Sequence, residues 1–143
     1  MKKLYTVTEA EKTLPYVSAV TAELCDLYRE IQVQSRLHNA TPKAEAEKRR
    51  DLRARIKQRA ERLHECQEEL LALGLLVKDY ELGLVDFPSE LEGRPILLCW
   101  EQGEERVSHW HEVDAGYRGR RPVPEGAPGH WPLNATASPA GRD

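Results

Sequence analysis

Large aromatic side chains are scarce in this 143-residue chain: Phe, Trp and Tyr together make up 6 % of it, with a single methionine. Such side chains carry much of the burial in a thick core, so a thin, elongated core is expected. No apolar run approaches the roughly 20 residues that cross a bilayer, and a membrane-spanning helix is therefore not expected. Met1-Lys2-Lys3-Leu4-Tyr5-Thr6 has two lysines but no apolar segment behind them, so no secretion signal is expected and the chain is placed in the cytoplasm. Without secretion, the glycosylation patterns at Asn39 and Asn134 are chance matches. Cys25, Cys66 and Cys99 are odd in number and lie far apart, which argues against a disulfide framework or a zinc knuckle.

Charge is plentiful instead. Charged residues make up 31 % of the chain and hydrophobic ones 40 %, above and below the usual shares. The net charge of −3 gives the whole molecule no general attraction for nucleic acid or acidic membranes.

The order of elements reads as α+β. Residues 6–14 form a short capped helix, because Thr6 with Glu9, or Thr8 with Glu11, has the capping-box spacing. Pro15 disfavours helical conformation at Leu14 and suits the first turn of a following helix, so a kink is expected there. From Pro15 to about Leu37, apolar residues recur at Val17, Val20, Leu24, Leu27 and Ile31, steps of three and four that make one helical stripe. A turn over His38–Pro42 follows. From Lys43 to Leu73 the stripe resumes with Leu52, Ile56, Leu63, Cys66, Leu70 and Leu73, and Gly74 stands where a helix stops. The short connection makes the two helices an antiparallel hairpin over residues 1–74.

After Gly74 the period changes to two. Leu76–Tyr80, Leu84–Phe87, Pro95–Trp100 and Arg106–His111 read as strands of a three- to four-stranded antiparallel meander, a β-rich head over residues 75–121, with Pro88 closing the second strand. Beyond Pro122, proline, glycine and alanine dominate, and residues 122–143 are expected to form a flexible, disordered tail. A narrow stripe on two helices needs a second layer. A second copy forming a four-helix bundle supplies one, hence a homodimer or higher homo-oligomer with a coiled-coil-like seam. The alternative is that the head covers the stripe within one chain.

Certain strings taken together resemble a bacterial family of uncharacterised proteins, a domain of unknown function numbered 2203. They are Thr6-Val7-Thr8-Glu9-Ala10 with Leu14-Pro15, Lys78-Asp79, Gly83-Leu84-Val85-Asp86-Phe87-Pro88, Leu98-Cys99-Trp100 before Gly103-Glu104, and Trp110-His111 before Asp114-Ala115-Gly116-Tyr117 and Gly119-Arg120. The likeness spans residues 4–123 and implies a helical hairpin joined to a small sheet. It implies no catalytic residue. His109 and the proline-rich tail are not part of the family pattern.

Four constellations could carry chemistry. In an extended strand His109 and His111 share a face, and with Glu112 or Asp114, or with Asp86 from a neighbouring strand, they offer a His/carboxylate set for a divalent metal such as zinc. Asp114–Arg121 is a glycine- and arginine-rich loop. Arg118 and Arg120, with Asp86, Trp100, Trp110 and Tyr117, would form a pocket for a nucleotide, another small anion or a partner's acidic segment. The competing reading is that an arginine pairs with Asp86 or Asp114 and pins the loop. Lys43 to Arg62 is basic enough to lie along phosphates, but no aromatics interleave it, and Glu45–Arg49 and Asp51–Arg55 are spaced as helical ion pairs, so nucleic acid is not the expected partner. Cys99 with His109 or His111 could act as a thiol nucleophile, although its apolar run favours a buried, inert thiol.

The reading these features favour is a non-enzymatic oligomeric scaffold or binding module, needing no cofactor, whose head presents the loop from His111 to Arg120 to a protein or small anion. The alternative is a small metal-dependent, hydrolase-like enzyme built on the His/carboxylate set. A nucleic-acid factor using the basic helix comes third.

Overall fold

A computed structural model of the chain describes residues 3–134. Two helices, α1 (Val7–Ala40) and α2 (Ala46–Leu71), are followed by strands β1 (Leu76–Asp79), β2 (Leu84–Leu91), β3 (Arg94–Glu101), β4 (His109–Glu112) and β5 (Arg121–Pro122). Among the described residues no helix is long and apolar enough to cross a membrane.

The α1 start is the capping box: Thr6 Oγ1 accepts from the Glu9 amide at 3.0 Å, and Glu9 Oε1 accepts from the Thr6 amide at 3.0 Å. Contrary to the expected break at Pro15, helix α1 is continuous from Val7 to Ala40. Pro15 sits on the solvent side, while Ala10, Leu14 and Val17, one turn apart, are all buried. Their burial offsets the backbone hydrogen bond that proline cannot donate. Helix α2 ends close to Gly74, whose amide donates to the Leu71 carbonyl at 2.8 Å.

The strands form one antiparallel sheet in the order β1-β2-β3-β4-β5. It has one strand more than the expected upper bound because Arg121-Pro122 pairs with Trp110 and His109. Strand β2 does not end at Pro88. It runs on to Leu91, with Pro88 opposite Leu97 and its carbonyl accepting from the Tyr5 amide at 2.8 Å. β1 reaches only to Asp86, so the missing proline N–H falls where no ladder partner stands. Leu91 pairs with Arg94 across Glu92-Gly93, both at positive φ (51° and 82°), the conformation of a two-residue hairpin turn.

Alternation divides the sheet. Val85, Phe87, Ile96, Leu98, Trp100 and Trp110 join Ala10, Leu14, Val17, Val20, Leu24 and Leu70 in one buried cluster. The head therefore covers the α1 stripe within its own chain. Leu84, Asp86, Cys99, His109 and His111 lie on the other face by register.

The flexible segment expected from Pro122 onward holds a docked stretch. Trp131 is 7 % exposed and its carbonyl accepts from the Val7 amide at 2.8 Å, while Gly129 accepts from Thr8 at 3.2 Å. The part of that expectation falling on residues 135–143 lies outside the described residues.

Candidate metal centre

The outer face of the sheet would be solvated were it not for the loop from Val113 to Gly119, which folds back over it. One clasp of that loop is Arg120. Its Nη2 donates to both oxygens of Glu104 at 3.1 and 3.2 Å and to the Cys99 carbonyl at 3.3 Å, and Nη1 lies 3.6 Å from Glu101. Tyr117 adds a second clasp, donating its hydroxyl to Glu101 at 3.1 Å, with the Arg120 guanidinium 5.1 Å from its ring centre. An arginine does pin the loop, but through Glu101 and Glu104 instead of Asp86 or Asp114.

Between loop and sheet lies a cavity of about 260 Å³, lined among others by Lys78, Leu84, Val113 and Tyr117, with Asp86, Cys99 and His111 contributing to its wall. The β2–β3 register puts Asp86 opposite Cys99, and β3–β4 pairing puts His109 beside Cys99 with His111 two residues further along the same face. Cys99 is small. Asp86 from β2 and His111 from β4 can therefore lean over β3 and meet, with His111 Nε2 3.2 Å from Asp86 Oδ1. All three are almost fully buried: Asp86 and Cys99 at 1 % exposure, His111 at 4 %.

The hydrogen bonds assign the imidazole. His111 Nδ1 lies 2.7 Å from the Glu112 carbonyl, which can only accept, so Nδ1 carries a proton. Nε2 faces Asp86 Oδ1, as a donor to the carboxylate when it carries a proton and as the nitrogen that can bind a cation when it does not. Burial pushes the Asp86 carboxyl above its ordinary value, with His111 pulling the other way. Asp86 Oδ2 is buried with no nitrogen or oxygen donor on it, and the Cys99 thiol is the polar group that adjoins this carboxyl. Burial likewise pushes the Cys99 thiol up to about 12. A thiol held protonated, beside an imidazole whose two nitrogens face Asp86 and the Glu112 carbonyl, is not an activated nucleophile.

One donor atom from each of Asp86, Cys99 and His111 lies within 4.8 Å of the other two. Tetrahedral zinc, with bonds of about 2.0–2.3 Å, holds its donors about 3.4–3.8 Å apart. Side-chain rotation of about an ångström would close the set on such an ion. The Nδ1–H bond to a carbonyl is the outer contact that ordinarily orients a metal-binding histidine.

The expected His/carboxylate set does not converge as such. Of its five candidates, His111 and Asp86 stand at the centre, and His109, Glu112 and Asp114 do not. His109 lies beside Ser108, with Nδ1 3.1 Å from Oγ, and 3.9 Å from Glu104. Glu112 accepts from Arg94 at 2.9 and 3.1 Å, and Asp114 is exposed in the turn after β4. The proposed anion pocket also divides. Asp86 and Tyr117 line the cavity, Arg118 is exposed, and Trp100 and Trp110 face the helices. Cys99 was the member sequence reasoning missed as a ligand. The signal available for it was the Glu92-Gly93 turn, because a 91–94 pairing puts residue 86 opposite residue 99.

Two cations of the basic stretch are paired across the hairpin, and the expected Asp51–Arg55 pair does not form. Arg59 pairs with Glu30 at 3.1 Å and Arg62 with Glu23 at 2.7 Å, both across the hairpin. Arg49 does not meet Glu45 as spaced; its Nη1 donates to the carbonyls of His38 at 3.1 Å and Thr41 at 2.7 Å, holding the α1–α2 connection.

Fold and site together define a class: a helical hairpin carrying a five-stranded antiparallel sheet, with a buried Asp–Cys–His cluster under a loop. The chain belongs to the family described as uncharacterized conserved protein DUF2203, whose model matches residues 3–123. No curated protein and no solved structure matches it.

Proposed function

We propose that the head is a metal-binding module that holds one divalent ion of the zinc class through Asp86, Cys99 Sγ and His111 Nε2. The observation carrying this reading is the convergence of three buried donors of different softness on the wall of a cavity. A thiolate with imidazole and a single carboxylate suits zinc and not magnesium or calcium, which prefer all-oxygen shells. Three protein donors leave a fourth position turned to the cavity, the pattern of sites that exchange a ligand or activate water.

Protein purified without tag or chelator and dialysed against zinc should retain one ion per chain by elemental analysis. Cobalt(II) put in its place should show thiolate-to-metal charge transfer in the near ultraviolet, lost in Cys99→Ser. Retention of metal in the triple variant Asp86→Asn, Cys99→Ser, His111→Gln would overturn the reading.

A second reading keeps the head as a metal-free binding module presenting the loop to a partner protein. It is favoured by the exposure of two large side chains on that loop, Val113 at 56 % and Tyr117 at 43 %. Folded protein that takes up no zinc would leave this reading standing.

A further inference from the structure

Resting on that metal site, we infer that its open position takes a small monocarboxylate, clamped between the ion and Lys78. A cationic donor on the cavity wall points to an anion. A divalent ion with one carboxylate, one thiolate and a neutral imidazole is neutral as a unit, so the ion does not repel an anionic fourth ligand. Lys78, an exposed residue of β1, lines the same cavity, and among the described residues it makes no ion pair within 4 Å. Asp79 lines the cavity too and keeps its charge, but its Oδ1 is turned to the amides of Glu81 and Leu82 at 2.9 and 2.7 Å, which leaves Lys78 as the cationic donor among the lining residues. Glu112 is occupied by Arg94.

Size and wall chemistry narrow the anion. The cavity of about 260 Å³ lies below the roughly 300–1,000 Å³ of pockets that enclose drug-sized ligands. A small anion is the ligand such a cavity can enclose whole. Leu84 and Val113 form an apolar flank beside Lys78, which suits a short aliphatic tail better than the fully hydrated oxygens of phosphate. One carboxylate oxygen would complete the ion's shell and the other would accept from Lys78 Nζ, a charge-assisted bond.

Cobalt(II)-loaded full-length protein provides the readout, because its visible bands report the fourth ligand. Propionate should shift those bands saturably, propionamide should not, and Lys78→Gln should weaken the propionate response about tenfold, as loss of one charge-assisted bond implies. Lys78→Arg should retain most of it. Cobalt bands that form normally yet ignore propionate would overturn this inference and leave the metal site intact. So would an equal response to propionamide, a response to inorganic phosphate alone, or a Lys78→Gln variant that is folded and cobalt-loaded but binds propionate as before. Failure of the cobalt bands to form at all would overturn the metal reading and this inference with it.

Discussion

Asp86 and His111 stand on strands that are not neighbours, yet Oδ1 of one lies 3.2 Å from Nε2 of the other because the strand between them places a cysteine under their contact. Asp86→Asn preserves the shape while removing an anionic ligand. Zinc affinity should fall at least about 100-fold, no less than loss of an outer-shell partner costs. The metal-free fold should suffer less than in Leu98→Ala, where about 2–5 kcal/mol of core packing goes. Competition with a colorimetric chelator and urea titration measure the two effects. Unchanged affinity would sink the assignment of Asp86 as a ligand.

The helices were legible because their signal is local. Val17, Val20, Leu24 and Leu27 repeat at helical spacing and are buried where that spacing puts them. The break expected at Pro15 failed because local preference was weighed without the sheet that packs on Ala10, Leu14 and Val17. The site was harder to read. Asp86 alternates with Val85 and Phe87 and looks like a polar residue on a solvated face. What buries it is a loop from 27 or more residues downstream, held by Arg120 on Glu101 and Glu104. No local pattern reports such a closure. The pairing of residue 86 with 99 was within reach from Glu92-Gly93, but reading Pro88 as the strand end hid it.

Arg120 is the clasp on that cover, and its removal has a local signature. In Arg120→Met the bonds to Glu104 and the Cys99 carbonyl are lost, and bonds to charged groups are worth about 1.5–3 kcal/mol. Amides of residues 113–119 should exchange with solvent about tenfold faster or more, while those of α1 keep their protection. Hydrogen exchange read by mass spectrometry separates the two. A uniform rise across the chain would mean that Arg120 supports the whole fold, not the loop.

Trp131 tests the docked segment beyond β5. Its ring packs edge-on against Trp110 with centroids 6.1 Å apart, closing the core cluster at the start of α1. Truncating a buried tryptophan costs about 3–5 kcal/mol. Trp131→Ala should therefore lower the urea midpoint markedly, whereas His130→Ala, at an exposed neighbour, should leave it within about 0.5 kcal/mol of the parent. Equal midpoints for parent and Trp131→Ala would show that the segment is not docked in solution.

The capping box makes part of the stability acid-sensitive, and the sign follows from which state holds the proton. Glu9 accepts from the Thr6 amide and pairs with Lys3 at 3.2 Å, and these contacts, the backbone bond first, hold its carboxyl below the ordinary value of 4.5. The unfolded chain has no such contacts, so on acidification it takes up the proton first. The contribution is thus present above pH 4.5 and is lost as pH falls through the lower folded value. The side chain is 44 % exposed and solvent screens the ion pair, so the hydrogen bonds carry most of the effect. Glu9→Gln keeps the capping geometry with an amide oxygen but has no proton to gain there, and its stability should decline less between pH 5 and pH 3 than that of the parent. Thr6→Ala, which removes the other half of the box, should cost about 1 kcal/mol at neutral pH. Parallel stability–pH curves for parent and Glu9→Gln would show that the box does not hold this carboxylate in solution.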